Sequence, residues 1–183
     1  MRQLIADLFI SLDGFASGPS EAPYFGYFGP DLWTWVRENL DRPQSLVMGR
    51  VTYMALAAFS ASATDELSLK MNAIPKLVFS SKLQEPLEWA NTRVLRGNLP
   101  DEISRLKQHG EEPLRCIGSI SLVKSMIEAG LVDRLRLMVF PVILGSAGRE
   151  PVFAEYAKTK LELASSRALD SRIMLLEYGR SSS

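Results

Sequence analysis

Short apolar runs alternate with amphipathic segments along most of the chain, and this alternation predicts the fold. The runs that predict strands are residues 4–12, 45–48, 76–79, 92–95, 114–117 and 134–140. Helices are predicted between them at residues 31–40, from residue 51 onward, at 100–110 and at 119–129. Strands that alternate with helices in this way favour a largely parallel sheet with helices on both faces.

The end of the chain departs from that alternation. Residues 160–168 and 171–178 predict an antiparallel hairpin that turns around Asp170. The predicted class is therefore α/β, with a mixed, mostly parallel central sheet of about eight strands and a C-terminal antiparallel hairpin. One domain is expected over residues 1–179, followed by a frayed tail at 180–183.

Composition narrows the classes of protein that fit this pattern. The 183 residues include 46% hydrophobic ones, enough for one domain with a real core. Lys+Arg and Asp+Glu both number 21, and this balance argues against a nucleic-acid binder. With one Cys and one His a metal cluster is not expected. Since no run approaches the ~20 apolar residues of a membrane span and no signal peptide is visible, we expect a cytoplasmic protein.

Two strand-to-helix junctions contain candidate anion-binding residues. The strand predicted at residues 45–48 is followed by Gly49 and Arg50, and Thr52 lies in the first turn of the next helix. A similar junction follows at Gly118 and Ser119. Backbone N–H groups at helix starts are unpaired and favour anions. Two such junctions in one small chain predict a long ligand with more than one phosphate.

Each of these residues also has a purely structural interpretation. Arg50 could offer its planar fork of donors to a phosphate, or form a surface salt bridge. Thr52 could bond a phosphate, cap its helix, or do both. Gly118 permits a close backbone approach to a ligand, and it also suits a tight turn.

Carboxylates and aromatic side chains supply the remaining candidates. Asp31 is the candidate acid if it lies in an aromatic, partly desolvated pocket that raises its pKa, and it is otherwise a plain N-cap. Asp13 precedes Gly14 in a pair typical of turns. Six aromatic residues between the first two strands could stack on a flat heterocycle or simply pack together: Tyr24, Phe25, Tyr27, Phe28, Trp33 and Trp35.

The ordered set of motifs resembles the dihydrofolate reductase fold. More narrowly, it resembles the reductase domain at the C-terminus of the bifunctional bacterial riboflavin-biosynthesis enzyme (the RibD C-terminal type), here as a stand-alone domain. The motifs that carry the likeness are Ser11-Leu12-Asp13-Gly14-Phe15, Met48-Gly49-Arg50-Val51-Thr52-Tyr53, Lys76-Leu77-Val78-Phe79-Ser80-Ser81, Ile117-Gly118-Ser119 and the stretch 130–145.

This resemblance implies an oxidoreductase that binds NADPH. The cofactor-binding positions that it implies are Gly49, Arg50, Thr52, Ser80, Ser81, Gly118, Ser119 and, in the loop near the nicotinamide, Asp13. Ser80, Ser81 and Lys82 could hold an adenosine 2′-phosphate or form only a polar turn. Because Ser119 replaces a glycine of the family pattern, and Ser81 intervenes before Lys82, NADH and FMN stay open as alternatives.

The predicted function is an NADPH-dependent reductase of a small heterocyclic or ribosylaminopyrimidine-like substrate, similar to the 5-amino-6-(5-phosphoribosylamino)uracil reductase of riboflavin biosynthesis. A non-catalytic dinucleotide- or flavin-binding dimeric sensor is one alternative, and a dihydrofolate reductase proper is another. The resemblance also implies a homodimer. The apolar run at residues 138–144 could form its interface, or it could be a buried central strand.

Overall fold

A central eight-stranded sheet organises the computed structural model, which describes residues 1–19 and 23–181. The strands are β1 (Leu4–Ser11), β2 (Phe15–Ser17), β3 (Ser45–Gly49), β4 (Lys76–Phe79), β5 (Thr92–Leu95), β6 (Leu114–Ile117), β7 (Arg134–Phe140), β8 (Arg149–Pro151), β9 (Leu161–Leu169) and β10 (Ile173–Arg180). The helices are α1 (Pro30–Asp41), α2 (Arg50–Ser60), α3 (Glu66–Ala73), α4 (Leu99–Gln108) and α5 (Ile120–Glu128), with 3-10 turns at Pro23–Gly26 and Gly145–Ala147.

The strand order in the main sheet is β5-β4-β3-β6-β1-β7-β10-β9. All pairs from β5 to β7 are parallel, whereas β10 runs antiparallel to both β7 and β9. The carboxyl ends of six neighbouring strands therefore meet at one edge of the sheet. The predicted mixed, mostly parallel sheet with a closing hairpin is confirmed.

Alternation of side chains along the strands explains why both faces of the sheet carry helices. In β1, Leu4 and Leu8 lie in the core cluster that includes Ile103 of α4 and Val123 of α5. Phe9, on the opposite face, packs against the cluster around α1. Side chains of β3 and β4 also alternate between the two faces of the sheet, and α2 and α3 cover the face opposite to α4 and α5. A run of apolar residues buried on both faces is what a parallel strand requires.

The predicted frayed tail at residues 180–183 begins one residue too early, and one short ribbon was not predicted. Gly179 and Arg180 belong to β10, and Arg180 Nε donates to the Val132 carbonyl at 3.0 Å, so the tail does not begin there. The β2–β8 ribbon was not predicted, because three-residue strands are too short to show a period. Residues 20–22, between the first two predicted strands, lie outside the described residues, as do residues 182–183 of the predicted tail.

A buried ionic cluster joins three strands to α1. Asp7 of β1 accepts from Arg115 Nε at 2.5 Å and from Arg136 Nε at 2.6 Å. Both guanidinium groups lie over the ring of Trp35, at 5.5 and 5.4 Å from its centroid. Arg136 also donates to the Asn39 side chain at 2.8 Å. Since charges so deeply buried need partners, these contacts fix the position of α1 on the sheet.

Lys76 closes the C-terminal end of α3. Its side chain is 1% exposed, and Nζ donates to the carbonyls of Met71 and Ile74, both at 2.7 Å. The ammonium also lies 4.8 Å from the ring centroid of Trp89. Burial lowers the pKa of Lys76 to about 8, while the carbonyl acceptors and the helix dipole favour its charged form.

We expect Lys76→Met to lower the free energy of unfolding by about 2 kcal/mol, because buried carbonyls at the end of α3 lose their donor. Urea unfolding followed by circular dichroism measures this. Lys158→Met, at an exposed lysine, is the matched control and should change stability little. Equal stability of the two variants would mean that Lys76 does not hold α3.

Candidate functional site

Two helix starts lie side by side at the carboxyl edge of the sheet. β3 and β6 are neighbours, and each passes directly into a helix, α2 after Gly49 and α5 after Ser119. Neither helix receives a hydrogen bond from the side chain of its N-cap residue. The amides of both first turns are therefore open to an anion.

The hydroxyl of Ser119 connects the two junctions. Ser119 Oγ accepts from the Gly49 amide at 2.8 Å and donates to Thr52 Oγ1 at 2.8 Å. The Gly118 amide donates to the Asp7 carbonyl at 3.1 Å. The structure thus brings Gly49, Thr52, Gly118 and Ser119 together, but the two glycine amides are paired within the protein. A phosphate here would be bound by the first-turn amides of the helices and by nearby cations.

Close packing and backbone shape explain the glycines at these junctions. Gly118 has φ +60°, a left-handed conformation that glycine adopts without strain. Ser119 follows at φ 59°, which is unfavourable for a residue with a Cβ. A Cβ at Gly49 would lie 3.2 Å from Leu122 Cδ1. The two hydrogen bonds of Ser119 offset its backbone strain.

A cleft of about 410 Å³ opens beside these junctions, at the ends of β4 and β5. Its lining residues are Arg50, Phe79, Ser80, Ser81, Lys82, Leu95, Arg96, Gly97 and Leu99. Arg50 is exposed and forms no ion pair within the described part of the chain, so its salt-bridge interpretation finds no partner. Three cations and no carboxylate line this cleft, which suits an anionic ligand.

Ser80 shapes the turn at the cleft. Its Oγ accepts from the amides of Lys82 at 3.0 Å and Leu83 at 3.1 Å. These bonds agree with the interpretation of Ser80 as part of a polar turn. Because a hydroxyl both accepts and donates, its proton can still be offered to a ligand. Ser81 and Lys82 are exposed beside it.

Asp13 holds two loops together. Its carboxylate accepts from Ser11 Oγ and from the Gly145 amide, both at 2.7 Å, and from the Leu144 amide at 3.1 Å. The Ser11 hydroxyl is the main group that lowers the pKa of Asp13, followed by the two amides. Asp13 therefore joins the loop after β1 to the loop after β7, in agreement with its turn-forming interpretation.

Asp31 lies in a different environment from the one expected of a catalytic acid. It is exposed, and its carboxylate accepts from the Asp170 amide at 2.8 Å. In return, the Asp170 carboxylate accepts from the amides of Asp31 at 2.9 Å and Leu32 at 3.2 Å. Asp170 thus caps α1, a role that sequence reasoning had given to Asp31. The geometry offers no support for a catalytic role of Asp31.

The aromatic residues before α1 pack mainly on one another. Tyr24, Phe25 and Tyr27 each lie within 6.4 Å of the ring of Phe140, and Phe9 lies 5.4 Å from Tyr24. Burial raises the pKa of Tyr24. These contacts favour the packing interpretation over direct stacking on a ligand.

Sequence reasoning missed Arg96 and Asp170. Arg96 follows a short strand with no motif around it, and only the pairing of β4 with β5 brings it to the cleft. Asp170 was recognised as a turn residue, but its capping of α1 depends on a contact across 139 positions.

Residues 1–19 and 23–181 offer neither a metal cluster nor a membrane-spanning helix. No group of three His, Cys, Asp or Glu side chains there could hold a metal ion. No helix in this part of the chain has both the length and the apolar character needed to cross a membrane.

Comparison with known proteins identifies the family. The uncharacterised Bacillus subtilis protein YyaP is 26% identical over 184 residues, which cover 97% of this chain and 94% of YyaP. A pyrimidine reductase-like protein from Corynebacterium diphtheriae superposes with a TM-score of 0.73 at 14% identity, covering 100% of this chain and 93% of that one.

A deaminase/5-amino-6-(5-phosphoribosylamino)uracil reductase from Thermotoga maritima gives a TM-score of 0.68 at 12% identity. The match covers 98% of this chain and 57% of the Thermotoga protein, so this chain spans little more than half of that protein. The family model of the RibD C-terminal domain matches residues 2–175. The predicted resemblance is confirmed, and the chain belongs to the RibD C-terminal domain family.

Proposed function

We propose that the protein is an NADPH-dependent reductase of a small heterocyclic or ribosylaminopyrimidine-like substrate, as in riboflavin biosynthesis. One observation carries the proposal: two adjoining helix starts and a cationic cleft lie in a row along one edge of the sheet. Membership in a family that contains reductase domains supports it. The reductase named in the Thermotoga protein is an example of the chemistry that we propose.

The spacing of this row fits a dinucleotide. β1, β6, β3, β4 and β5 are consecutive neighbours, and strands in a sheet lie about 4.8 Å apart. A ligand laid across them would place its adenosine end in the cleft at β4 and β5. Its pyrophosphate would lie at the starts of α2 and α5, and its nicotinamide near the loop that Asp13 fixes after β1. Ligands of open parallel sheets bind beyond the carboxyl ends of the strands.

The charges of the row favour a phosphorylated ligand. The whole chain carries a formal net charge of zero, yet the cleft is lined by Arg50, Lys82 and Arg96. An arginine without a carboxylate partner can offer its guanidinium to a phosphate. NADPH has more phosphate groups to engage these cations than NADH or FMN, and we therefore propose it as the cofactor.

The protein's own part in the reaction would be to bind, orient and exclude water. When bound, NADPH supplies the hydride. Arg50 would fix the phosphates, and the exposed Leu12 and Ile143, in the loops that follow β1 and β7, would border the substrate. We assign no side chain as proton donor, because Asp13 and Asp31 are both engaged with backbone amides.

A non-catalytic dinucleotide-binding protein is the second candidate, and the engagement of those two carboxylates favours it. A folate reductase proper receives no such support. It would require Asp31 in the substrate pocket, whereas the structure places Asp31 against the turn before β10.

We also propose a homodimer, formed at the hairpin edge of the sheet. β9 is the last strand, and each residue from 161 to 168 is exposed. Leu161, Leu163 and Met174 share one face of the hairpin and are 39%, 57% and 40% exposed. A long edge strand with exposed leucines can pair with another chain, and a second copy would supply the partner. The run at residues 138–144 is less suitable, since Met138 and Phe140 are buried.

Titration of the protein with NADPH, followed by nicotinamide fluorescence, tests the proposed cofactor. We expect saturable binding, and we expect Arg50→Ala to weaken it by about 1.5–3 kcal/mol through loss of a charged hydrogen bond. Arg37→Ala, at an exposed arginine of α1, is the control and should leave affinity unchanged. Absence of binding by the wild type would refute the proposal. NADPH oxidation across a panel of pterins and pyrimidines then separates a reductase from a binder.

Variants of Ser119 test the connection between the junctions. We expect Ser119→Ala to lower the free energy of unfolding by about 1–3 kcal/mol, because the Gly49 amide loses its acceptor. Ser119→Gly should cost less, since it removes about 1 kcal/mol of left-handed strain. Denaturant unfolding of both variants measures the difference. A larger loss for the glycine variant would contradict this account.

Light scattering coupled to size-exclusion chromatography tests the dimer. We expect a dimeric wild type and a monomeric Leu163→Glu variant, because the introduced carboxylate would be desolvated in the interface. Leu69→Glu, on α3, is the matched control at a similarly exposed leucine and should stay dimeric. A monomeric wild type, or a dimeric Leu163→Glu variant, would show that β9 is not the interface.

A further inference from the structure

The buried ionic cluster of Asp7, Arg115 and Arg136 carries more positive than negative charge. Asp7 is 2% exposed, and the two arginines are 7% and 8% exposed. Both guanidinium groups pair with the single carboxylate of Asp7, and neither has a second carboxylate partner within the described part of the chain. One positive charge is thus left uncompensated in the interior, where an unpaired charge is costly. A bound anion would compensate it.

The two arginines do not use their donors equally. Arg136 donates from Nε and Nη2 to Asp7, at 2.6 and 2.9 Å, and from Nη1 to Asn39 Oδ1 at 2.8 Å. Arg115 donates to Asp7 through Nε alone, and its Nη1 reaches the Asn39 carbonyl and Gln44 Oε1 only at 3.5 Å. Hydrogen bonds longer than about 3.2 Å are weak. The guanidinium of Arg136 is therefore fully engaged, whereas that of Arg115 has donors left for another partner.

Nη2 of Arg115 is one such free donor, and it is accessible. It has no acceptor within residues 1–19 and 23–181. In the same residues the hydroxyl of Tyr156 is the one fully buried side-chain polar atom that lacks a partner. The Nη2 group is therefore not sealed in the core, although Arg115 as a whole is buried. A guanidinium held in this way can offer its free donor to a ligand oxygen.

The free donor lies near the Gly118 junction of the proposed cofactor site. Asp7 is the register partner of Ile117, the last residue of β6, and the Asp7 carbonyl accepts the Gly118 amide at 3.1 Å. Arg115 and Ile117 are two positions apart in β6, so their side chains project from the same face of the sheet, about 7 Å apart along the strand. A ring bound beside Gly118 is thus within reach of the long side chain of Arg115.

The apolar core on this face of the sheet is divided into two clusters. One surrounds α1 and includes the half-buried Phe9, and the other surrounds α2 and α3 and includes the half-buried Ile117. The ionic cluster lies under α1, with the Arg115 guanidinium 5.5 Å from the ring centroid of Trp35. Burial raises the pKa of Tyr24, and the charge of Arg115 opposes that rise. The positive charge of Arg115 therefore extends to the aromatic residues that precede α1.

We propose that Arg115 binds the substrate through its free Nη2, at an anionic oxygen carried by a flat heterocycle. This inference rests on the proposed function, which lays the cofactor across the Gly118 junction. The anion would neutralise the excess charge of the cluster, and hydrogen bonds between a guanidinium and an oxyanion are among the strongest in proteins. A neutral ring would leave the excess charge in place. The site therefore selects anionic rings over neutral rings of similar shape.

A purely structural role is the competing account, since Arg115 also neutralises Asp7. A structural residue affects stability but sets no preference among ligands. Three probes with one type of ring separate the accounts: uracil, which is neutral at neutral pH, barbiturate, whose ring is anionic, and orotate, which carries a carboxylate beside the ring. The two anionic probes distinguish an enolate oxygen from a carboxylate as the recognised group.

The test is calorimetric titration of the full-length wild type, Arg115→Gln and Arg115→Lys with each probe. Urea unfolding establishes that each variant is folded. Lys107→Gln is the matched control, because Lys107 is also a buried cation with one carboxylate partner, Asp133, but belongs to α4 on the other face of the sheet.

We expect the wild type to bind barbiturate or orotate at least about tenfold more tightly than uracil. Arg115→Gln should abolish that preference, Arg115→Lys should retain part of it, and Lys107→Gln should retain all of it. A wild type that binds the three probes equally or binds none of them overturns the inference, as does an unchanged preference in Arg115→Gln. If Arg115→Gln does not fold, the wild type and Arg115→Lys decide.

NADPH titration of the same proteins keeps the two proposals apart. Arg115→Gln should bind NADPH within about twofold of the wild type, because the proposed contact of Arg115 is with the substrate. A wild type that prefers the anionic probes but does not bind NADPH would remove the proposed function and leave an anion site at Arg115. Binding of NADPH without a preference for the anionic probes would remove this inference alone.

Discussion

The buried carboxylate of Asp7 is the interaction on which the rest of the arrangement depends. It lies in the middle of β1, and it is paired with Arg115 from β6 and Arg136 from β7. Breaking such a buried pair costs about 3–5 kcal/mol, because it leaves a charge without a partner in the interior. Both arginines also contact Trp35, so the same cluster fixes α1. The Asp7 carbonyl accepts the Gly118 amide and thereby sets the end of β6.

The hydroxyl of Ser119, which follows β6, links this end of β6 to the neighbouring strand β3. Its hydrogen bonds reach Gly49 and Thr52, so the starts of α2 and α5 hold a fixed relation. The amides of Gly49 and Gly118 already donate to Ser119 Oγ and to the Asp7 carbonyl. Anion binding is left to the first turns of the helices and to side chains such as Arg50. The site is therefore rigid where the backbone turns and adaptable where long cationic side chains surround the cleft.

Family membership and geometry bear on different parts of the function. The RibD C-terminal family and its structural neighbours establish the fold, but at identities of 12–14% they do not carry a substrate to this chain. The cationic cleft carries the argument for a phosphorylated cofactor. On the substrate side, Asp13 and Asp31 both serve loop and helix structure.

The sequence by itself determined the order of the eight main-sheet strands, of the four helices α1, α2, α4 and α5, and of the two junctions. Short, largely apolar runs such as Lys76–Phe79 predict strands of a parallel sheet, because both faces of such strands are covered. Gly49, Gly118 and Ser119 were recognised because strand-to-helix turns leave a local signal. Only the tertiary structure decided the partners. Arg96 reaches the cleft, and Asp170 caps α1, through contacts between residues far apart in the chain, which no local pattern encodes.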